Sequence, residues 1–481
     1  MVRLYFFIWV QIKKSTFGHS FGLIFLLQNL NLKEPRMDFK NLIIECLGLQ
    51  DVVIENYMAD RNNLKLTLTV RQQKESCRCH HCDSPLQYVR EWKERKIRGP
   101  ALGAFLYVEI ILWQLRATCS ICMDQVRSAA VPFVHPNFQN LTLSLCELAG
   151  RWMEELPCAA VARFFNLNSK TMWDLDQYRM KKMKSLIAFP QGISFVKMSA
   201  DEVHFRTMPK MDSSTRPEIK FVTNLVCFSE SKILANAPGR DKMSLLKCLQ
   251  VLSPAQRAEI KYFSVDMHDP FILIIKKFCP NAKICVDRFH LAQKVNDAFD
   301  DLRKAEFRLA DAVNDKFQLK MLAPHRRFVL VEREKKLKKS DLKMLDQLKK
   351  INKNILNGMI LVEYFHNVLD KTNLIEFRKS LTLWYRLVRE SAIKPFKKLA
   401  QLIKRNRKHI EAYIESGLTT AKSEGLNNKI KVLRRSGYGY TNEQSYMNKI
   451  LQQCGYLNSR YIKTSGWFWR LPINLAQNTP F

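Results

Sequence analysis

Residues 193–205, ISFVKMSADEVHF, begin the part of the chain whose pattern decides the fold. Short apolar runs typical of strands follow them and alternate with stretches of helical period. These runs are IKFVTNLVCF (219–228), SKILANAP (231–238), IKYFSVD (260–266) and AKICVDRFH (282–290), with a helix predicted over 241–251. Because strands that alternate with helices favour a sheet covered by helices, residues 193–290 are predicted to form an α/β sheet.

The region after this sheet has a different character. Residues 291–416 are lysine-rich and helical in period, with no sustained strand signal, so they predict an α-helical insertion. Residues 417–460 are expected to return to the sheet and complete the core. In this last segment Leu426, Ile430 and Leu433 share one helix face, which is predicted to dock on the sheet.

Two further modules are predicted before the sheet. Residues 37–135 contain strand-like runs, LKLTLTV (64–70) and FLYVEIILWQLRA (105–117), and both pairs of closely spaced cysteines. Residues 140–190 predict three helices separated by short breaks at Pro157 and Asn166–Asn168, which is typical of a helix-turn-helix DNA-binding domain. Asn168 or Ser169 would cap the last helix, exposing Lys170, Thr171 and Trp173; a plain helical hairpin is the alternative.

The two ends of the chain differ from the rest. Met37 opens an ordinary helix start, MDFKNLIIECLGL, so residues 1–36 are interpreted as an upstream extension that is not native to the protein. Residues 461–481 form an atypical tail. The richest apolar window, residues 4–30, is broken by lysines and a histidine, so no membrane span is predicted.

The charge of the chain points to a polyanionic partner. Lysine and arginine number 78 against 45 acidic residues, a formal net charge of +33. An excess of this size favours nucleic acid over a merely soluble basic protein. The 13 cysteines are unevenly placed and do not resemble a secreted disulfide scaffold, so a reducing cytoplasm is expected.

The strongest local signal is a pair of CxxC knuckles, Cys79–Cys82 and Cys119–Cys122. Each spacing lets two thiolates reach one tetrahedral Zn²⁺, and a long β-hairpin over 86–117 would bring the knuckles together. Four thiolates leave no open coordination position, which indicates a structural zinc. Four free cysteines are the alternative, and Cys77 or His81 could replace one of the ligands.

Three acidic residues are candidates for chemistry. Asp201 closes the strand-like run FVKMSA, Asp266 closes IKYFSV, and Glu424 opens a predicted helix rich in basic residues. Three carboxylates can hold two Mg²⁺ ions for phosphodiester chemistry. Taken one at a time, each could equally be a capping or surface charge, and their spacing does not single them out.

A family resemblance singles them out. The segments MSADEVHF (198–205), YFSVDMHDPF (262–271), CVDRFHLAQKVNDAFDDLRK (285–304) and SGLTTAKSEGLNNKIKVLRRSGYGYTN (416–442) resemble bacterial insertion-sequence transposases of the ISL-three type. The resemblance covers about 37–460 and implies the DDE class, with an RNase-H-like mixed-sheet core. It implies that Asp201, Asp266 and Glu424 are the catalytic triad, with Asp287, Arg288 and His290 in support. Asp269, Glu202 and Asp287 remain rival ligands.

The resemblance also implies an activity and partners. The expected reaction is DNA cleavage at terminal inverted repeats followed by strand transfer, with catalytic Mg²⁺ or Mn²⁺ and structural Zn²⁺. The expected partners are double-stranded DNA, both repeats and target, and a second copy of the chain, in a cytoplasmic, nucleoid-associated protein. The residues expected to contact DNA are Lys170, Thr171, Lys429, Lys431, Arg434 and Arg435. The alternatives are a catalytically inactive sequence-specific DNA-binding protein and an RNase-H-like nuclease without strand transfer.

Overall fold

The structure is a computed structural model in which the chain divides into two compact units, Met1–Val134 and His135–Phe481. The residues that it describes are 39–86, 88–123, 125–207, 219–266, 269–286, 288–324, 339–418, 421–437, 439–464 and 468–469. The proposed upstream extension, 1–36, lies outside them. Among the described residues no helix combines the length and apolar character needed to cross a membrane.

The first unit is a helix packed on a five-stranded sheet. Its elements are α1 (Phe39–Leu47), β1 (Val52–Asp60), β2 (Lys65–Gln72), β3 (Tyr88–Gly99), β4 (Tyr107–Cys119) and β5 (Gln125–Ser128). The sheet order is β1-β2-β4-β3, and β5 pairs with β4. Alternate residues of β4, Val108, Ile110 and Leu112, are fully buried, as expected for a strand with one face on the core.

The predicted hairpin is present in this sheet. Strands β3 and β4 pair antiparallel from Tyr88↔Thr118 to Gly99↔Val108. The hairpin therefore carries the chain from one CxxC knuckle to the other and returns Cys119 to the neighbourhood of Cys82.

The second unit begins with three helices, α2 (Leu143–Glu155), α3 (Cys158–Phe164) and α4 (Ser169–Lys184). The breaks fall where proline and asparagine predicted them. Thr142 accepts a hydrogen bond from the backbone N–H of Leu145, and Asn168 accepts one from that of Lys170, so each side chain caps its helix. Asn168, rather than Ser169, is thus the cap of α4.

A second five-stranded sheet follows, and it is mixed. Its strands are β6 (Lys197–Thr207), β7 (Ile219–Cys227), β8 (Lys232–Pro238), β9 (Tyr262–Val265) and β10 (Lys283–Val286). Their order is β10-β9-β6-β7-β8, with β10, β9 and β6 parallel and the β6–β7 and β7–β8 pairs antiparallel. Short helices, α5 (Lys242–Leu249), α6 (Pro254–Ala258) and α7 (Asp269–Phe278), connect the later strands.

Both faces of this sheet are covered. Met198 and Ala200 of β6 face the cluster that contains Phe263 and the side chains of α5 and α7. Val203 and Phe205 of the same strand belong to the other cluster, which includes helices α2 to α4. Because successive strand residues point to opposite faces, the odd-numbered positions around Asp201 lie on this second side.

The helical region consists of α8 (Arg288–Ala312), α9 (Lys316–Leu322), α10 (Lys339–Ile351), α11 (Lys353–Leu369), α12 (Leu374–Ser391), α13 (Lys394–Arg405) and α14 (Arg407–Ser416). Its described residues between Arg288 and Ser416 contain no strand. The core is built around Trp384, which is completely buried and donates its indole N–H to the carbonyl of Leu361 at 3.0 Å.

After the helical region, α15 (Ala421–Ser436) and α16 (Glu443–Cys454) return to the sheet. Leu426, Ile430 and Leu433 are buried against Val203 and Phe205, which confirms the predicted docking face.

Part of the atypical tail also belongs to this core. Phe468 and Trp469 are buried, and the Lys182 ammonium donates to their carbonyls at 3.0 and 2.7 Å. The tail is therefore integrated into the fold at these two residues.

Candidate active site and metal centre

The sheet brings Asp201 and Asp266 together. Parallel strands β6 and β9 are paired through Ser199↔Ser264, and each aspartate lies two residues further along its strand direction. Neighbouring strands are about 4.8 Å apart and residues two apart share a face. The two aspartates therefore occupy neighbouring positions on the face of the sheet that α15 covers.

One detail of the sequence prediction is wrong. Asp201 was expected to close its strand, but β6 continues to Thr207 because its antiparallel pairing with β7 extends from Met198 to Thr207. What ends just before Asp201 is the parallel pairing with β9. Asp266 does follow the last residue of β9, as predicted.

Both carboxylate oxygens of Asp201 are held. Oδ1 accepts a hydrogen bond from the backbone N–H of Glu202 at 2.8 Å, and Oδ2 accepts one from the Asn427 amide at 2.6 Å. Asn427 is on α15, three residues after Glu424. The side chain of Glu424 lies outside the described residues, but its backbone places it one turn before Asn427 on the same helix.

A third carboxylate and a histidine complete the cluster. Burial, and then the charges of Asp201 and Asp266, raise the pKa of Glu202 to about 7. Nδ1 of His290 lies 3.7 Å from Oδ1 of Asp266. Carboxylates clustered in this way suit a hard divalent cation, which would neutralise their charge.

Asp201, Glu202 and His290 line a cavity of about 510 Å³. Its polar lining includes Asp201, Glu202, His204, His290, Asn427, Asn428, Lys431 and Arg434. The wall that carries the acids belongs to the sheet and the wall that carries the bases belongs to α15. A phosphodiester entering this cavity would meet both kinds of group.

The basic residues predicted on α15 differ in their surroundings. Lys431 is exposed. The Lys429 ammonium donates to the carbonyl of Gln453 at 2.6 Å, and Arg435 donates from Nε to the carbonyl of Lys431 at 3.4 Å.

Arg434 is fixed against β6. Its Nη1 lies 2.8 Å from Nδ1 of His204, and because arginine has only donors, that ring nitrogen is the acceptor. Nε2 then carries the hydrogen and donates to the Thr207 hydroxyl at 3.0 Å. Partial burial, and then the Arg434 charge, lower the pKa of His204.

The other predicted supporting residues are placed differently. Asp287 and the side chain of Asp269 lie outside the described residues. Arg288 forms an ion pair with Asp370 of the helical region. Among the predicted supporting residues that the structure describes, His290 is thus the one that lies close to the acid cluster.

The helix-turn-helix candidate shares its core with the sheet. Lys170 is exposed and Thr171 half-buried at the start of α4, while Trp173 is 43% exposed. Further along α4, fully buried Asp176 pairs with Lys449 of α16 at 2.8 Å, and fully buried Arg179 pairs with Glu154 at 2.6 Å. The first pair joins α4 to α16, and the second joins α4 to α2. At the start of α4 Lys170 remains exposed to a partner.

The four knuckle cysteines converge in the first unit. The thiols of Cys79, Cys82, Cys119 and Cys122 all lie within 4.8 Å of one another. Sγ–Sγ distances are 3.4 Å for Cys82–Cys119, 3.6 Å for Cys82–Cys122 and 4.0 Å for Cys79–Cys122. A tetrahedron with metal–sulfur bonds of about 2.3 Å has edges of about 3.8 Å, so the cluster has the size that a bound metal ion needs.

The Ser84 hydroxyl contacts two of the four thiols. Its oxygen lies 2.9 Å from Cys82 Sγ and 3.3 Å from Cys119 Sγ, and this contact is the main reason that the pKa of Cys119 falls to about 6. Cys77 stands apart: its thiol donates to the carbonyl of Gln73, and burial raises its pKa to about 11. His81 Nδ1 is 3.7 Å from Cys122 Sγ, at the edge of the cluster.

Comparison with known proteins gives a family. A transposase family model of the ISL3 type matches residues 210–450, which include Asp266 and Glu424. The chain is 24% identical over 374 residues to the transposase for insertion sequence element IS1001 of Bordetella parapertussis, covering 77% of this chain and 87% of that protein. It is 25% identical over 244 residues to the transposase for insertion sequence element IS1557 of Mycobacterium tuberculosis, covering 47% and 55%. The chain is therefore a transposase, a protein that acts on DNA. It belongs to the ISL3 family.

Proposed function

We propose that this chain is a DDE-type transposase that cleaves DNA at the terminal inverted repeats of its element and joins the freed ends to target DNA. The observation that carries the proposal is the in-register placement of Asp201 and Asp266 on adjacent parallel strands, facing the helix that bears Glu424. Acids at this position can act together on one phosphodiester.

Asp201, Asp266 and Glu424 would hold the catalytic metal ions. Two Mg²⁺ or Mn²⁺ ions bound there would supply activation of the attacking oxygen and stabilisation of the leaving oxygen. The donor set fits, because hard carboxylate oxygens cluster around Glu202, whose pKa is raised by burial and then by its acidic neighbours.

The residues around the acids have positioning tasks. Asn427 orients Asp201 through its hydrogen bond to Oδ2. His290, whose Nδ1 lies 3.7 Å from Asp266 Oδ1, would orient that carboxylate. Arg434 is fixed by His204 with its remaining guanidinium donors available for a DNA phosphate.

DNA recognition would involve three surfaces. Lys170 and Thr171 at the exposed start of α4 would approach the terminal repeat. Lys429, Lys431, Arg434 and Arg435 of α15 would contact phosphates near the cleavage site, so binding should weaken as salt rises. The first unit would be held by Zn²⁺ on Cys79, Cys82, Cys119 and Cys122, and it would add DNA contacts of its own.

The remaining parts of the proposal concern fold and assembly. The mixed sheet with helices on both faces supports an RNase-H-like core, interrupted by the helical insertion between β10 and α15. Processing two element ends requires at least two copies of the chain on the DNA. Such a protein would work in the bacterial cytoplasm, in association with the nucleoid.

A strand-transfer assay tests the reaction. A duplex ending in the element's terminal repeat, labelled on the transferred strand, is incubated with supercoiled plasmid, Mg²⁺ and the full chain. The proposal predicts labelled strand joined covalently to plasmid. Cleavage without joining would instead indicate an RNase-H-like nuclease, and sequence-specific binding without cleavage would indicate an inactive DNA-binding protein.

A further inference from the structure

Helix α13, residues 394–405, has the sequence KPFKKLAQLIKR and carries five cations and no acid. Lys394, Lys397, Lys398, Lys404 and Arg405 are all exposed. At about 100° per residue, these five positions fall within an arc of about 120°. They form a basic stripe along one side of the helix, about 18 Å long for its 12 residues.

The opposite side of α13 is buried in the insertion. Phe396, Leu399 and Ile403 are 0%, 6% and 1% exposed and belong to the same core cluster as Trp384. A basic amphipathic helix can bind a membrane surface only through a free apolar face. This face is already occupied, so the stripe can offer a partner nothing but its charges.

The charges of the stripe are not neutralised within the described part of the chain. None of its five cations forms an ion pair there, whereas cations elsewhere in the insertion do. Glu411 on the next helix is occupied by Arg378 at 2.7 Å and Arg407 at 2.8 Å. A run of unneutralised cations fixed on a rigid helix indicates an external polyanion.

We propose that the basic stripe of α13 binds the phosphate backbone of double-stranded DNA irrespective of its sequence. An 18 Å stripe matches about five phosphates of one strand, which are spaced about 3.4 Å along the duplex axis. The only aromatic residue of α13, Phe396, is buried, so the stripe lacks the stacking platform that single strands require. The inference rests on the proposed function in taking DNA as the partner.

Binding that does not depend on DNA sequence suits the stripe to one of the two DNA substrates, the target. Phosphate contacts position a duplex but carry no base information. A surface of this kind suits DNA whose sequence varies from one event to the next, as target DNA does. The contacts that identify the terminal repeat would lie elsewhere, at the start of α4.

The test compares the salt dependence of duplex binding between two variants of the full chain. The first variant, Lys397→Gln/Lys398→Gln/Lys404→Gln, removes three stripe charges while keeping good helix formers. Each lost phosphate contact lowers the slope of log affinity against log salt by about 0.9, so three lower it by up to about 2.7. The loss of affinity between 50 and 200 mM salt should then be about 40-fold smaller than in the unmodified chain.

The matched control is Lys371→Gln/Arg378→Gln/Arg407→Gln, which removes the same number of charges from the same insertion. Those cations already pair with Glu376 and Glu411, so the control should lower the slope by less than about one unit. Both variants are measured on a random 30-base-pair duplex and on a terminal-repeat duplex, after circular dichroism has confirmed folding.

The outcomes separate the stripe from the function on which it rests. The proposal is supported if the first variant, but not the control, reduces the salt slope equally on both duplexes. Equal salt slopes in the two variants, or a reduced slope on the terminal-repeat duplex alone, would overturn the proposal. Neither result would contradict cleavage at Asp201 and Asp266. A chain that binds no duplex at all would overturn both the stripe and the proposed function.

Discussion

Replacing Asn427 by alanine removes the amide that holds Asp201 Oδ2 at 2.6 Å. A hydrogen bond to a charged group contributes about 1.5–3 kcal/mol, which corresponds to a factor of about 10 to 150 in the population of the oriented carboxylate. Cleavage at limiting Mg²⁺ should therefore fall by about 10- to 100-fold. At high Mg²⁺ the deficit should shrink, because occupancy of the site then no longer depends on how well the carboxylate is pre-oriented.

Asn428 supplies the matched control for this variant. It is the same residue type on the same helix and lines the same cavity, but it is exposed and makes no hydrogen bond to Asp201. The assay is single-turnover cleavage of a terminal-repeat duplex across a Mg²⁺ series, with DNA binding measured in EDTA and Mn²⁺ binding measured by calorimetry. Equal cleavage rates and equal Mn²⁺ affinities for Asn427→Ala and Asn428→Ala would refute the positioning role.

Three further predictions concern stability. Cys119→Ser should lose the proposed zinc and unfold the first unit, because a structural zinc contributes about 10–16 kcal/mol to folding. Cys77→Ser, outside the cluster, should retain the zinc. Elemental analysis measures the zinc content of both variants, and limited proteolysis measures their folding. Burial, and then the charge of Lys182, lower the pKa of fully buried His135 from 6.5 to about 4. The neutral imidazole contributes about 3 kcal/mol to the free energy of unfolding above pH 6.5, and this contribution is lost as pH falls towards 4. In His135→Asn the free energy of unfolding, measured with urea, should therefore depend less on pH in that window. An unchanged pH dependence would contradict this. Trp469→Ala should lower the free energy of unfolding by about 3–5 kcal/mol, because the side chain is fully buried. Trp173→Ala should lower it by less than about 1 kcal/mol, because that side chain is 43% exposed. Equal urea midpoints for the two variants would contradict the integration of the tail.

The parts of the structure that sequence could predict are those with local causes. The CxxC spacing brings two thiols together whatever the rest of the fold does, and the alternating residues of β4 mark a strand with one buried face. Pro157 and Asn168 fixed the helix boundaries because their effects on the backbone extend over one turn.

The candidate site depended on relations that are not local. Asp201 and Asp266 are 65 residues apart, and their adjacency follows from the parallel register of β6 and β9, which no residue pattern displays. The role of Asn427 was missed for the same reason. Its position one turn after Glu424 was a usable signal, but its contact with Asp201 exists only once α15 has docked on the sheet.

The tail shows the reverse limitation. Residues 461–481 looked atypical because their sequence matches no expected segment, yet Phe468 and Trp469 complete the cluster around α4. The buried ammonium of Lys182, which holds the carbonyls of both residues, could not be predicted from a lysine in a basic helix.

The most direct test of the central claim is Mg²⁺-dependent single-turnover cleavage of a terminal-repeat duplex by Asp201→Ala, Asp266→Ala and Glu424→Ala, each compared with the unmodified chain. We predict that each variant binds the duplex with unchanged affinity in EDTA and cleaves it at least about 1,000-fold more slowly, because each removes a proposed ligand of the catalytic metal ions. Normal cleavage by all three variants would contradict the assignment of the active site.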